Sequence, residues 1–264
     1  MAYVKFFKWL YDNKLKKISE LDCQNKLEFF KKKNSFYLGP SFETISAFNK
    51  NASIIHYNAK NFDKSFLKRN DMFLLDAGSQ YLFGTTDMTR TISLGKQNNF
   101  RKTIYTLVLK GHIAVSTFKI NKNTTGQIID RSARKYLKNK NFDYEHGTGH
   151  GVGYLSNVHE NPPTISKLSN NKFQINQVVS NEPGFYKKND FGIRLENLIY
   201  LDKNKRFNNL TLVPFDNSLI EKSLLTSKEK RWLNNYHENV YEKINKFLNN
   251  NEKKFLRKIC SKIN

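Results

Sequence analysis

Short apolar runs that end in a carboxylate constrain this chain more than any other feature. Phe73-Leu-Leu75 runs into Asp76, and Asp87 follows eleven residues later within Gly84-Thr-Thr-Asp87-Met-Thr-Arg-Thr91. Glu182 sits in Ser180-Asn-Glu-Pro-Gly184 and Glu196 in Gly192-Ile-Arg-Leu-Glu-Asn197, again among strand-like apolar residues. A carboxylate drawn into a protein interior is costly unless it is paired or bound to a metal. Taken singly, Asp76 and Asp87 also read as turn residues. Taken together with a histidine, four carboxylates set among strands make an oxygen-rich site able to hold two metal ions.

The rest of the chain supplies a frame for such a site. Residues 3–33 read as two helices, with Phe6, Phe7, Trp9 and Leu10 on one apolar side and Ser19-Glu-Leu-Asp22 as a cap before Leu27, Phe29 and Phe30. The following Lys31-Lys-Lys-Asn34 reads as a solvated helix end. Ile45 to Tyr57 and Met72 to Leu94 are short apolar runs punctuated by Gly and Asn, which predicts strands and hairpins. Helical spacing returns from Phe100 to Phe118, and Thr124-Thr-Gly-Gln127 has capping-box form for a helix to about Leu137. Beyond the Gly-rich His146–Gly153 segment, strand-like pieces lie around Val178-Val179 and from Ile193 to Tyr200, and Ser227 to Phe247 reads as a final helix. Helices and strands without strict β-α-β alternation predict an α+β domain.

Composition narrows the class. The 264 residues carry 45 Lys+Arg against 23 Asp+Glu, a formal net charge of +22, yet 38% are hydrophobic and 14% aromatic, which is enough for a packed core. No uninterrupted apolar stretch is long enough for a membrane span. Lys5 and Lys8 break the first apolar run, so no secretory signal is legible, and the expected location is cytoplasmic. Cys23 and Cys260 are too few and too distant in sequence to form a disulfide framework or a cysteine metal cluster, and both are expected to be free thiols. The positive charge admits a nucleic-acid partner. Lys, Asn and Ile are nevertheless abundant everywhere in the chain, as AT-rich codon bias produces, so nucleic acid is not an expected partner.

Four of the six histidines, His56, His146, His150 and His159, lie in or near Gly-rich or strand-end segments; His112 and His237 fall in helical patterns and read as structural. His146-Gly-Thr-Gly-His150-Gly-Val-Gly153 superficially matches a dinucleotide loop, but no β-α-β unit surrounds it. The His146/His150 spacing also fits a zincin helix. Four glycines and the lack of a Glu after His146 exclude that reading.

In order along the chain, Leu75-Asp76-Ala-Gly-Ser-Gln-Tyr81, Gly84-Thr-Thr-Asp87-Met-Thr-Arg-Thr91, His146-Gly-Thr-Gly-His150-Gly-Val-Gly153, Asn157-Val-His159-Glu, Asn181-Glu182-Pro-Gly-Phe-Tyr186 and Gly192-Ile-Arg194-Leu-Glu196-Asn form a recognisable set. The chain resembles the catalytic domain of the Xaa-Pro aminopeptidases, or aminopeptidases P, which are pita-bread metallopeptidases. The likeness runs from Lys5 to the C-terminus and includes Ser41-Phe-Glu-Thr-Ile45, Ile54-Ile-His-Tyr57 and Trp232-Leu-Asn-Asn-Tyr-His237.

The resemblance implies a pita-bread α+β fold whose pseudo-symmetric halves enclose a dinuclear metal site. It makes Asp76, Asp87, His150, Glu182 and Glu196 the metal ligands, with Asp87 and Glu196 bridging the two ions. It places His56, His146 and His159 along the substrate pocket and Arg194 beside Asp87. Two divalent ions would lower the pKa of a bridging water and polarise the scissile carbonyl. Hard oxygen ligands with one imidazole suit Mn²⁺, with Co²⁺ and Zn²⁺ as alternatives. Glu182 is expected to move the proton from the attacking water to the leaving proline nitrogen, His159 and His56 to hydrogen-bond the carbonyl oxygen or tetrahedral intermediate, and His146 to shape the proline pocket.

The chain departs from that family at Phe83, where many relatives have Asp, and at Asn161, where Gly is usual. Altered loop packing is expected there, with the chemistry intact. Typical relatives carry two N-terminal domains ahead of this one. The expectation is therefore one catalytic domain over residues 1–264, acting on peptides with proline second, as a homodimer or with a separately encoded N-terminal polypeptide. A prolidase or methionine aminopeptidase of the same fold, and a noncatalytic module that binds nucleic acid, are the competing expectations.

Overall fold

The structure is a computed structural model and describes residues 1–62 and 64–264. Its first half opens with α1 (Ala2–Asn13) and α2 (Glu20–Lys31), then β1 (Tyr37–Gly39), β2 (Ile45–Phe48), β3 (Met72–Asp76), β4 (Ser79–Tyr81), β5 (Gly84–Thr86) and β6 (Thr89–Ser93). α2 starts at the expected cap: Asp22 N–H donates to Ser19 Oγ at 3.1 Å, and Ser19 N–H returns the bond to Asp22 Oδ2 at 2.9 Å. The antiparallel sheet β2-β3-β6 sets Asp76 between Ile45 and Thr89, at the end of its strand. Phe6, Phe7 and Leu10 of α1 and Cys23 and Leu27 of α2 pack with Phe48, Phe73, Leu75 and Ile92 to form this half's core.

The second half repeats the plan of a helix pair on an antiparallel sheet. Its elements are α3 (Asn99–Ser116), α4 (Gly126–Lys138), β7 (Gly149–Val152), β8 (His159–Ile165), β9 (Val178–Asn181), β10 (Gly184–Lys187), β11 (Phe191–Arg194), β12 (Asn197–Leu201) and β13 (Phe207–Asn209). The sheet runs β13-β12-β9-β7-β8, and β10-β11 is a separate hairpin. Ile129 and Ala133 of α4 cover Ile165, Val179 and Ile199. α5 (Ser227–Ile244) and α6 (Asn250–Ile259) close the molecule against α3 and the hairpin.

Several local expectations change. β2 ends at Phe48, and Asn49 turns the chain with φ 38° into a 3-10 segment over Asn49–Ser53, so no strand continues to Tyr57. Lys31 is not solvated: it is 1% exposed, and Nζ donates to Gly78 O at 2.7 Å, because the i, i+4 spacing from Cys23 through Leu27 keeps it on the buried face. Lys32 and Lys33 are exposed. The expected Thr124/Gln127 box does not form; Thr124 Oγ1 accepts from Asn121 N–H, and Gln127 Nε2 donates to Lys167 O. The last helix is α6, which starts at its own capping box, Asn249 with Glu252, and buries Leu256.

Candidate metal centre

The strand ends of both halves point into one cleft of about 600 Å³, lined by all nine residues expected to form the site: His56, Asp76, Asp87, His146, His150, His159, Glu182, Arg194 and Glu196. Asp76 closes β3, Asp87 precedes β6, His150 lies in β7, Glu182 follows β9, and Glu196 joins β11 to β12. The glycines around His150 are required by close approach. A Cβ on Gly149 would stand 2.0 Å from Ser180 O, and one on Gly151 would stand 2.5 Å from Glu160 O, so only a bare backbone fits between β9 and β8.

Asp87, His150 and Glu196 each offer a ligand atom, all within 4.8 Å of one another. His150 Nε2 also lies 3.5 Å from Asp87 Oδ2 and 3.4 Å from Glu182 Oε1. The other ring nitrogen, Nδ1, is 2.7 Å from Gly151 O and takes the proton, which leaves Nε2 as a lone pair facing carboxylate oxygens. Acceptors facing acceptors need a proton or a metal ion between them. Asp76 Oδ1 is a further buried acceptor without a partner. The donor set therefore fits hard divalent ions.

Electrostatics agrees. Burial, then the charge of Glu196, holds the Asp87 and Glu182 carboxyls well above the ordinary range. Burial, then Asp76, pushes Glu196 up to about 7. Burial lowers His150 to about 4 and His146 to about 3, the latter helped by Arg194, and also lowers His159. The three imidazoles are neutral, the form that ligates or accepts.

Arg194 makes its direct ion pair with Asp76, Nη2 donating to Asp76 Oδ2 at 2.5 Å, and its charge also works against burial to lower the carboxyl pKa of Asp87, the neighbour expected for it. The cause is the placement of β11, where Arg194 N–H donates to Thr91 Oγ1 and carries the side chain across the end of β3. Nε donates to Thr89 Oγ1 at 3.2 Å, whose hydroxyl donates to Glu196 Oε2 at 2.7 Å. Nη1 donates to Tyr186 OH at 2.6 Å, and that hydroxyl lies 2.8 Å from His146 Nε2. His146 Nδ1 is 2.7 Å from Gly147 O, so both ring nitrogens are engaged and the ring is fixed in the cleft wall. His159 is exposed and edge-on to His150, ring centroids 4.1 Å apart; His56 is exposed on the segment that follows β2. His112 and His237 are fully buried outside the cleft, as their helical settings predicted.

Tyr186 and Arg90 carry weight that the sequence reading did not assign. Arg90 is fully buried, and its guanidinium donates to Thr89 O, Glu196 O, Asn197 Oδ1, Val213 O, Pro214 O and Tyr236 OH at 2.6–3.1 Å. Both residues lie inside quoted motifs, and that position was the only available signal. Behind the Gly-rich segment, Arg134 of α4 donates to Asp130 at 2.7 Å, Tyr144 O at 2.5 Å and His146 O at 2.7 Å, while Thr148 Oγ1 donates to Asp130 at 2.6 Å.

Residues 1–203 match the model of metallopeptidase family M24, and residues 205–263 match the C-terminal region of peptidase M24. The chain is 41% identical over 268 residues to a probable Xaa-Pro aminopeptidase P of Arthroderma gypseum, covering 95% of this chain and 42% of that protein. It is 42% identical to an uncharacterized peptidase of Schizosaccharomyces pombe, covering 99% and 46%. It thus spans less than half the length of these relatives. Among solved structures, X-prolyl aminopeptidase from Caenorhabditis elegans, described as a cytosolic enzyme with a di-nuclear active site, superposes with TM-score 0.93 at 36% identity, over 99% of this chain and 45% of that one. A prolidase from Thermococcus sibiricus superposes with TM-score 0.72 at 28% identity, over 83% and 57%. With its paired halves, its cleft donors and these matches, the chain has the pita-bread fold and belongs to metallopeptidase family M24.

Proposed function

We propose that this chain is the catalytic unit of a metal-dependent aminopeptidase that releases the N-terminal residue from peptides with proline at the second position. The observation that carries the reading is the convergence of His150 Nε2 with Asp87, Glu182 and Glu196 in one cleft, acceptor against acceptor. Asp76, Asp87, His150, Glu182 and Glu196 are the residues that would hold two divalent ions, Mn²⁺ before Co²⁺ or Zn²⁺ for so oxygen-rich a set. Bound there, the ions supply Lewis-acid polarisation of the scissile carbonyl and a water acidified toward neutral pH.

The chain's own groups do the rest. Glu182, in the cleft beside His150, takes the proton of the attacking water and delivers it to the leaving proline nitrogen. His159 and His56, both lining the cleft, hydrogen-bond the carbonyl oxygen as negative charge grows on it. His146, locked by Tyr186 and Gly147 O, presents a fixed ring face to the proline. Arg194 holds Asp76 in orientation through its ion pair.

The similarity to proteins named Xaa-Pro aminopeptidase supports the substrate class, and the nematode enzyme's description supports a cytosolic location. Among the described residues no helix is long and apolar enough to cross a membrane. Treating residues 1–264 as one catalytic unit rests on Arg90, whose acceptors lie in both halves and the tail. Turnover by the Mn²⁺-loaded protein on Arg-Pro-Pro, Gly-Pro and Met-Ala-Ser tests the substrate assignment. Release of Arg from the first is expected. Preference for Gly-Pro or Met-Ala-Ser would replace the assignment by a prolidase or a methionine aminopeptidase.

A further inference from the structure

The segment from Phe48 to Tyr57 leads from β2 to the cleft wall, where Ile55, His56, Tyr57 and Asn58 line the cavity. It is pinned from beneath by a carboxylate outside the metal centre. Glu20, the first residue of α2, is 2% exposed. Its carboxylate accepts from Phe48 N–H at 2.5 Å, Tyr57 OH at 2.6 Å and Asn51 Nδ2 at 3.1 Å. Asn51 Nδ2 also donates to Tyr57 OH at 3.0 Å, so the donors form one closed group around Glu20. All three partners are uncharged and belong to this one segment. An acid at a helix start gains from the helix dipole while still in solvent. Turning inward instead is tolerated only because the donors converge on it.

The segment is held from its other side as well. A Cβ on Gly192 of β11 would stand 1.7 Å from Ala52 O, so the main chain of the segment lies directly on the hairpin that ends in Arg194. Held by Glu20 on one side and that hairpin on the other, the segment presents the exposed His56 to the cleft.

We propose that Glu20 is a positioning residue for the cleft: through Tyr57, Asn51 and the Phe48 amide it fixes the backbone that presents His56 to substrate. The inference deepens the aminopeptidase reading and rests on it for the contact between His56 and substrate. The test uses the Mn²⁺-loaded full chain, with Glu20→Gln and Tyr57→Phe made separately in the wild-type and His56→Ala backgrounds, and an Arg-Pro-Pro peptide. Each variant lowers kcat/KM about tenfold, mostly through KM, in the wild-type background, and adds nothing once His56 is gone. An equal loss in both backgrounds overturns the proposal. The milder Tyr57→Phe carries the test if Glu20→Gln does not fold.

A second readout is independent of turnover. In ¹³C-labelled protein, Glu20→Gln and Tyr57→Phe shift the His56 imidazole resonances and leave those of His112 and His237 in place. Unmoved His56 signals overturn the proposal whatever the enzyme cleaves. A wild-type protein that cleaves no Xaa-Pro peptide while His56 still responds overturns the activity reading and leaves the positioning role standing.

Discussion

Arg194 meets three acceptors with three nitrogens, Asp76, Tyr186 and Thr89, and a lysine in its place has one nitrogen to offer. Arg194→Lys is expected to weaken Mn²⁺ binding about 10- to 100-fold, as loss of an orienting neighbour does at metal sites; calorimetric affinity within twofold of wild type would contradict this role. The carboxyls of the centre make metal-free stability depend on pH. Glu196 titrates at about 7 in the fold against an ordinary value of 4.5, so the metal-free fold holds a proton that the unfolded chain has released. The stability this supplies is full below the ordinary value and lost as pH rises through about 7. Asp87 and Glu182 act in the same direction. Buried histidines of lowered pKa act in the opposite direction over the same range, so the clean readout is metal binding, which needs these ligands deprotonated: the gain in Tm on adding Mn²⁺ to metal-free protein should be larger at pH 8 than at pH 5.5. Equal gains at both pH values would contradict the assignment.

Elements differ in how much of them the chain's pattern revealed. The acidic residues were legible because a carboxylate that ends an apolar run has few physical excuses, and Ser19-Glu-Leu-Asp22 read correctly as a cap because its bonds are local. Lys31 was misread because its acceptor, Gly78 O, lies on another element. Arg90 and Tyr186 stayed silent for the same reason, their partners being set by tertiary packing. α6 was missed although Asn249 and Glu252 spell its start, since it is only ten residues long and has a single fully buried side chain, Leu256. The α4 clamp makes its own prediction. Arg134→Ala leaves Asp130 buried without its cation and frees the carbonyls of Tyr144 and His146. Hydrogen exchange should accelerate across residues 146–152 and stay unchanged in β2-β3-β6; a uniform change across both sheets would count against a local clamp.

At the scale of the molecule, the site exists only because two halves meet, and Arg90 is where they are fastened. From β6 it reaches Glu196 and Asn197 at the start of β12, Val213 and Pro214 in the tail, and Tyr236 in α5, with its guanidinium 4.1 Å from the Phe215 ring centroid. Arg90→Met should cost about 3–5 kcal/mol in urea unfolding, because the acceptors left behind are buried; a loss under about 1 kcal/mol would show that the halves are held elsewhere. On the proposed reading, the paired halves build a two-ion hydrolytic centre. Titrating Mn²⁺ into metal-free protein, with bound ions and release of Arg from Arg-Pro-Pro followed together, tests it most directly. Activity should saturate at two ions per chain and vanish in Glu182→Ala. Two ions bound per chain with no release from any Xaa-Pro peptide, or release that survives complete chelation, would contradict it.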